Sequence, residues 1–164
     1  CLLTGGMFLS VDAQARDALR SWIREIGTNF VLYRFTGDNA STAFPCYRPG
    51  WIPEGFMMTV EHDLSDVEMY IVHYADPETG LGFRFDYQRM TENAITWIDS
   101  TEYTHEYVTV NDLPGEFYES IQENEASNLL WFDQERNLIF GINSRLDRET
   151  IFQIAECVEL AETP

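Results

Sequence analysis

From Phe56 onward the apolar residues recur at every second position, in short runs cut by turn-forming residues. The run 81–89 shows this best: Leu81, Phe83, Phe85 and Tyr87 alternate with Gly82, Arg84, Asp86 and Gln88. Successive side chains of a strand point to opposite faces, so this period of two predicts a half-buried β-strand and excludes a helix. Residues 56–63 and 67–75 have the same character. The linker Asp76-Pro77-Glu78-Thr79-Gly80 carries the residues of a hairpin loop. A weaker strand is predicted at 94–98. Further strands are predicted at 105–111, 117–122, 128–132 and 138–143, with Leu113-Pro114-Gly115 and 133–137 as the turns between them.

Both ends have a different pattern. Val11, Ala15, Ala18, Leu19, Trp22, Ile23 and Ile26 fall at helical spacing, with Asp12 at the start and Gly27 as the stop. Phe30 to Phe35 then reads as a short strand. At the other end Asp147 is placed as an N-cap, Glu149 as a first-turn acid, and Ile151, Ile154, Ala155 and Val158 as the apolar stripe of a closing helix. Between these regions, 38–53 is loop-like. Pro49 and Pro53 around Trp51-Ile52 hold its end extended, and Gly55 supplies a turn.

The predicted fold is therefore α+β. A curved, half-barrel-like antiparallel sheet of about eight or nine strands carries an N-terminal helix packed on it and a C-terminal helix. Residues 1–10 are expected to be an apolar tail or membrane-proximal stub, and 11–164 one domain. A chain of 164 residues buries roughly 70% of its unfolded surface, so it needs no metal or disulfide staple.

Composition narrows the function. The formal charge is -18, and all ten basic residues are arginine. Nucleic-acid affinity comes largely from basic groups that release counterions, so this chain is not expected to bind nucleic acid. The three histidines, His62, His73 and His105, form no HExxH pair. The nearest approach to a metal set is His62 with Asp66 or Glu68 across a hairpin, weighed against a plain polar strand end. There is no GxSxG elbow, and Cys1, Cys46 and Cys157 lack the spacing of a zinc or redox site. No cofactor, no metal and no catalytic residue is expected. The candidate ligand-binding residues are two aromatic groups: Phe44, Tyr47 and Trp51 in the proline loop, and Tyr70, Tyr74 and Tyr107 on strands. Aromatic rings on a sheet face line a ligand groove in some folds and fill the core in others.

Five segments in order carry a family resemblance: the helix AQARDALRSWIRE with FVLYRF, then PGWIPEGF, VTVNDLPGEFYES, LLWFDQERNLIFGI and SRLDRETIFQIAECVEL. Together they resemble the domain-of-unknown-function family 4367, from about residue 13 to residue 160. The resemblance implies an extracytoplasmic domain of a single-pass, membrane-anchored protein of Gram-positive bacteria, often encoded beside sigma-factor genes. It implies a fold similar to sigma-E regulators and lipoprotein carriers, and a membrane segment upstream of Cys1. The family has no assigned activity, so it implies no site residue. The expected function is a non-catalytic sensor or binding domain of an anti-sigma-factor-like protein, with a small-molecule, lipid or protein ligand. Alternatives are a carrier of an apolar ligand between sheet and helix, and a hydrolytic enzyme.

Overall fold

The structure is a computed structural model and describes residues 22–26, 30–35, 43–90, 95–99 and 101–161. Its centre is an open, fully antiparallel seven-stranded sheet. The strands in chain order are β1 (Trp22–Ile26), β2 (Phe30–Phe35), β3 (Tyr47–Pro49), β4 (Met57–Leu64), β5 (Met69–Ala75) and β6 (Gly82–Arg89). They continue with β7 (Ile95–Asp99), β8 (Tyr103–Val110), β9 (Leu113–Ser120), β10 (Ser127–Asp133) and β11 (Leu138–Ser144). Helix α1 (Arg148–Glu156) and β12 (Val158–Leu160) close the chain.

The central sheet has the order β4-β5-β6-β11-β10-β9-β8, which makes it two meanders joined where β6 pairs with β11. The expected meander therefore holds within each half and breaks between them. β7 leaves the central sheet and forms a separate three-stranded sheet, β1-β2-β7. This small sheet lies on one face, where Val31 and Tyr33 join Met90, Tyr118, Leu130, Phe132 and Ile139 in an apolar layer. The opposite face carries the larger core. There Phe83, Phe85, Tyr87, Trp131 and Phe140 meet Ile151, Ile154 and Ala155 of α1.

Because both faces are covered, β10 and β11 are buried almost without interruption. Strands buried on both sides lose their polar alternation, as Leu-Leu-Trp-Phe in β10 does. β6 keeps its predicted alternation: Phe83, Phe85 and Tyr87 are buried together on the helix side. Stacked rings continue across the strands, with Tyr74 on Phe83 at 4.8 Å and Trp131 on Phe140 at 5.2 Å between centroids. Each such pair adds about 0.5–1.5 kcal/mol beyond its buried area.

Three expectations are corrected. The helix expected over 11–26 does not reach its expected end, because Trp22–Ile26 is strand β1, paired antiparallel with β2. Its Trp and Ile residues suit a strand, and pairing along the whole of FVLYRF outweighs a weak local helical preference. Residues 11–21 lie outside the described residues. Second, Leu113-Pro114-Gly115 is not a turn but the start of β9; the turn is Asn111-Asp112, with φ of 48° and 66°. Positive φ at both central residues is the two-residue hairpin geometry that Asn and Asp tolerate. Gly115 is needed in the strand because a Cβ there would meet the Leu130 carbonyl oxygen at 2.6 Å. Third, Val158 does not extend the closing helix. It begins β12, which pairs with β3 as a short ribbon.

Other local readings agree with the structure. Asp147 caps α1, accepting from the Thr150 backbone N–H at 2.9 Å. Gly55 turns the chain with φ of 88°.

The β3–β12 ribbon also holds Cys46 and Cys157 apart. The Gly50 N–H donates to the Cys157 carbonyl, and the Ala161 N–H donates to the Cys46 carbonyl, so the two cysteines sit at opposite ends of the ribbon. That separation is about 13 Å at roughly 3.3 Å per residue, far beyond the span of a disulfide. Both thiols are free. Alkylation of non-reduced protein followed by peptide mapping is expected to label Cys46 and Cys157 fully. A linked Cys46–Cys157 peptide would contradict the ribbon register.

Candidate functional site

The proline loop is held on the helix side of the sheet by one tyrosine. Tyr87 donates its hydroxyl proton to the Pro45 carbonyl at 2.8 Å and accepts from the Tyr47 backbone N–H at 3.0 Å. Phe44 stacks on the Tyr87 ring at 5.2 Å, and Tyr47 meets Tyr87 and Phe140 edge-on. Tyr70 packs on Tyr87 from β5 and donates to Glu61 at 2.7 Å. Arg48 completes this corner, pairing with Glu61 at 2.7 Å and lying over the Tyr70 ring.

Five of the six aromatic candidates thus gather on one face. Phe44, Tyr47 and Tyr70 surround Tyr87, while Trp51 and Tyr74 pack against the same core. Most of their surface is used in packing. The structure brings Tyr107 to the other face, beside His105 and the small-sheet layer.

Tyr47 does reach an open cleft. About 680 Å³ in volume, it lies where the β8–β9 and β10–β11 turns approach the β3–β12 ribbon and the end of α1. Tyr47, Trp131, Phe140 and Val158 form its floor, and Asp112, Asp133, Glu135 and Arg136 belong to its rim. In the sequence 133–137 reads as a hairpin turn, with no sign of this rim. Asp133 is almost fully buried, and its carboxylate accepts from the Arg136 backbone N–H at 3.0 Å and from the Arg136 guanidinium at 2.7 Å. That turn is stiff, and the Arg136 side chain remains more than half exposed. Burial pushes the Tyr47 phenol upward, the Arg136 charge pulls it down, and Asp133 pushes it up again.

A second polar cluster sits on the small-sheet face. The Glu116 carboxyl is fully buried, and its Oε2 accepts from Tyr33 at 2.8 Å and from Tyr118 at 2.6 Å. His105 Nε2 lies 2.6 Å from the same oxygen. A buried carboxyl needs such donors, because leaving one unmet costs several kcal/mol. Tyr33 comes from β2 while Glu116 and Tyr118 come from β9, so the cluster fastens the small sheet to the central one. Burial is also the main cause that raises the Tyr33 phenol well above its ordinary range, with Glu116 adding to it. No sequence signal distinguishes Glu116 from the other acids unless the β8–β9 register is known.

Among the described residues, no three His, Cys, Asp or Glu side chains converge as a metal site. His62 and Glu68 do not meet. His62 is exposed on the edge strand β4, and Glu68 pairs with the buried Arg89 at 2.7 Å. Between sheet and helix, Phe83 and Phe85 are buried in ring contacts with Tyr74, Trp131 and Phe140.

Residues 46–158 match the family described as a domain of unknown function (DUF4367). The chain belongs to this family. The matched region begins at the ribbon strand β3 and ends at the first residue of β12, so it contains the whole central sheet of the DUF4367 domain and the cleft beside it. No curated protein matches the chain.

The tyrosines of this face report on its integrity. Burial raises the Tyr87 phenol to about 12, with the hydrogen bond from Tyr47 working against the shift. Burial also raises Tyr70 and Tyr74. An unfolded tyrosine ionises near pH 10. The folded state therefore keeps protons that the unfolded chain releases, and the stability this adds is whole below about pH 10 and lost as pH rises through about 12. Urea midpoints measured from pH 9 to 12 are expected to fall, and to fall less steeply in Tyr87→Phe. Equal slopes for the two proteins would mean that Tyr87 is not held this way.

Proposed function

We propose that this DUF4367 domain is a non-catalytic binding domain, and that its ligand enters the cleft between the two hairpin turns and the β3–β12 ribbon. On this reading it works outside the cytoplasm, as the sensing part of a membrane-anchored, anti-sigma-factor-like protein. The family resemblance in the sequence supports that setting. Among the described residues no helix is long and apolar enough to cross a membrane.

The cleft carries the reading. Its volume of about 680 Å³ falls in the range of small-molecule sites, roughly 300–1,000 Å³. Strands and tight turns hold its walls, so its shape exists before a ligand arrives and little ordering cost is left for binding. The lining contains no histidine, serine or cysteine, so it offers none of the hydroxyl, thiol or imidazole groups that nucleophilic acyl transfer uses. An apolar floor under an acidic rim suits a ligand with a compact apolar body and a polar or cationic end.

A thermal-shift screen of soluble metabolites, short peptides and detergent-solubilised lipids tests this, using the wild type and the cleft-filling variant Glu135→Trp. Glu135 is exposed, so the variant is expected to unfold within about 0.5 kcal/mol of the wild type. At least one compound is expected to raise the wild-type midpoint by several degrees and leave the variant unchanged. Compounds that stabilise both equally, or none in all three classes, would count against the cleft.

A further inference from the structure

At the opposite end of the central sheet a second cleft of about 440 Å³ is lined by His73, Arg84, Asn143 and Arg145, with Asn124 and Glu125 on the β9–β10 loop. The register puts three of these side by side. His73 of β5 is opposite Arg84 of β6, and Arg84 is opposite Asn143 of β11. Neighbouring strands lie about 4.8 Å apart, so the three side chains form a row on one face of the sheet. Asn143 is oriented by donating to Asn128 at 2.8 Å. Arg145 stands two residues farther along, which returns it to the same face.

The charges here are unusual for this chain. Of the arginines whose side chains are described, Arg48, Arg84, Arg89, Arg136 and Arg148 each pair with a carboxylate. Arg145 pairs with none among the described residues, and its one hydrogen bond is to the Gly80 carbonyl at 3.3 Å. The Arg84 pair with Asp86 uses Nε, at 2.7 Å, and its terminal nitrogens make no hydrogen bond among the described residues. Two guanidinium groups and an imidazole stand here against two carboxylates, Asp86 on Arg84 and Glu125 on the loop, so the site lacks the acid excess of a chain with 28 acids against 10 bases. Guanidinium groups present a planar fork of donors that fits carboxylate or phosphate oxygens two at a time.

We propose that this cleft binds a small oxyanion, a carboxylate or a phosphate group, held by Arg145 and the outer nitrogens of Arg84, with His73 and Asn143 completing the donor set. The site is separate from the Tyr47 cleft and stands or falls without it. Glu125 on the β9–β10 loop also lines the cleft, and its charge works against an anion there.

The test is a titration of the full chain with inorganic phosphate and, separately, with acetate, followed by amide and arginine side-chain NMR. Saturable shifts confined to His73, Arg84, Asn143 and Arg145 are expected with at least one of the two. The anion that saturates the site names its class. Arg145→Gln is expected to weaken that binding at least about tenfold while leaving the rest of the spectrum in place. Shifts that stay linear with both anions, or spread over the surface, overturn the site. Unchanged affinity in Arg145→Gln, with Arg84→Gln as the second variant, overturns it as well.

Discussion

Strands β10 and β11 are covered on both faces, and the other elements are arranged around that burial. On one side the ring contacts from Tyr70 through Tyr87 and Phe140 to Trp131 run across four adjacent strands and form a surface on which α1 and the proline loop sit. On the other, Leu130, Phe132 and Ile139 would face water if the small sheet were not there. An exposed apolar layer of that size would drive association. The small sheet removes the problem, and the Tyr33–Glu116–Tyr118 contacts fix where it lands. Apolar packing supplies the driving force on this face, and the buried carboxyl supplies position.

Both clefts follow from this arrangement. They lie at the two ends of the sheet, where turns project past the covered area and side chains are free of the core. The cleft near Tyr47 has an aromatic floor because it is the exposed margin of the ring ladder, and a charged rim because a tight turn brings Asp133 and Arg136 together. The cleft near Arg145 is bordered by Tyr74 and Phe83 and differs in its polar groups. Its donors come from a row across three strands, whose spacing is set by the backbone ladder. A single domain thus offers two chemically different surfaces without a long loop in either.

Much of this was legible in the sequence. Phe30 to Phe35 is a strand with the bounds its composition suggested, β6 buries the alternating residues it was expected to bury, and Asp147 caps the helix. What local patterns could not supply is partnership. WIREI fits a helical stripe as well as a strand, and only its pairing with β2 decides between them. The three-residue strands β3 and β12 exist because they pair with each other, and neither has a period long enough to detect. The turn before β9 mattered most. Leu-Pro-Gly is a stronger turn signal than Asn-Asp, yet a turn centred on Pro114 would set Tyr107 opposite Ile121, whereas the register sets it opposite Glu116. A register error in a hairpin reassigns faces, which is why the Glu116 cluster could not be foreseen. Of the aromatic candidates, Tyr47 and Tyr74 each border a cleft while Phe44, Trp51 and Tyr70 serve the core, because rings adjacent to a sheet bury whatever area they can.

If two-sided burial of the central strands organises the domain, it must also set the order in which the domain opens. Native-state amide hydrogen exchange measures this strand by strand. The amides of β10 and β11 are predicted to exchange only through global unfolding. Those of the edge strand β4, whose residues are all exposed, are predicted to open at clearly lower free energy. Exchange in β10 and β11 as easy as in β4 would contradict the account.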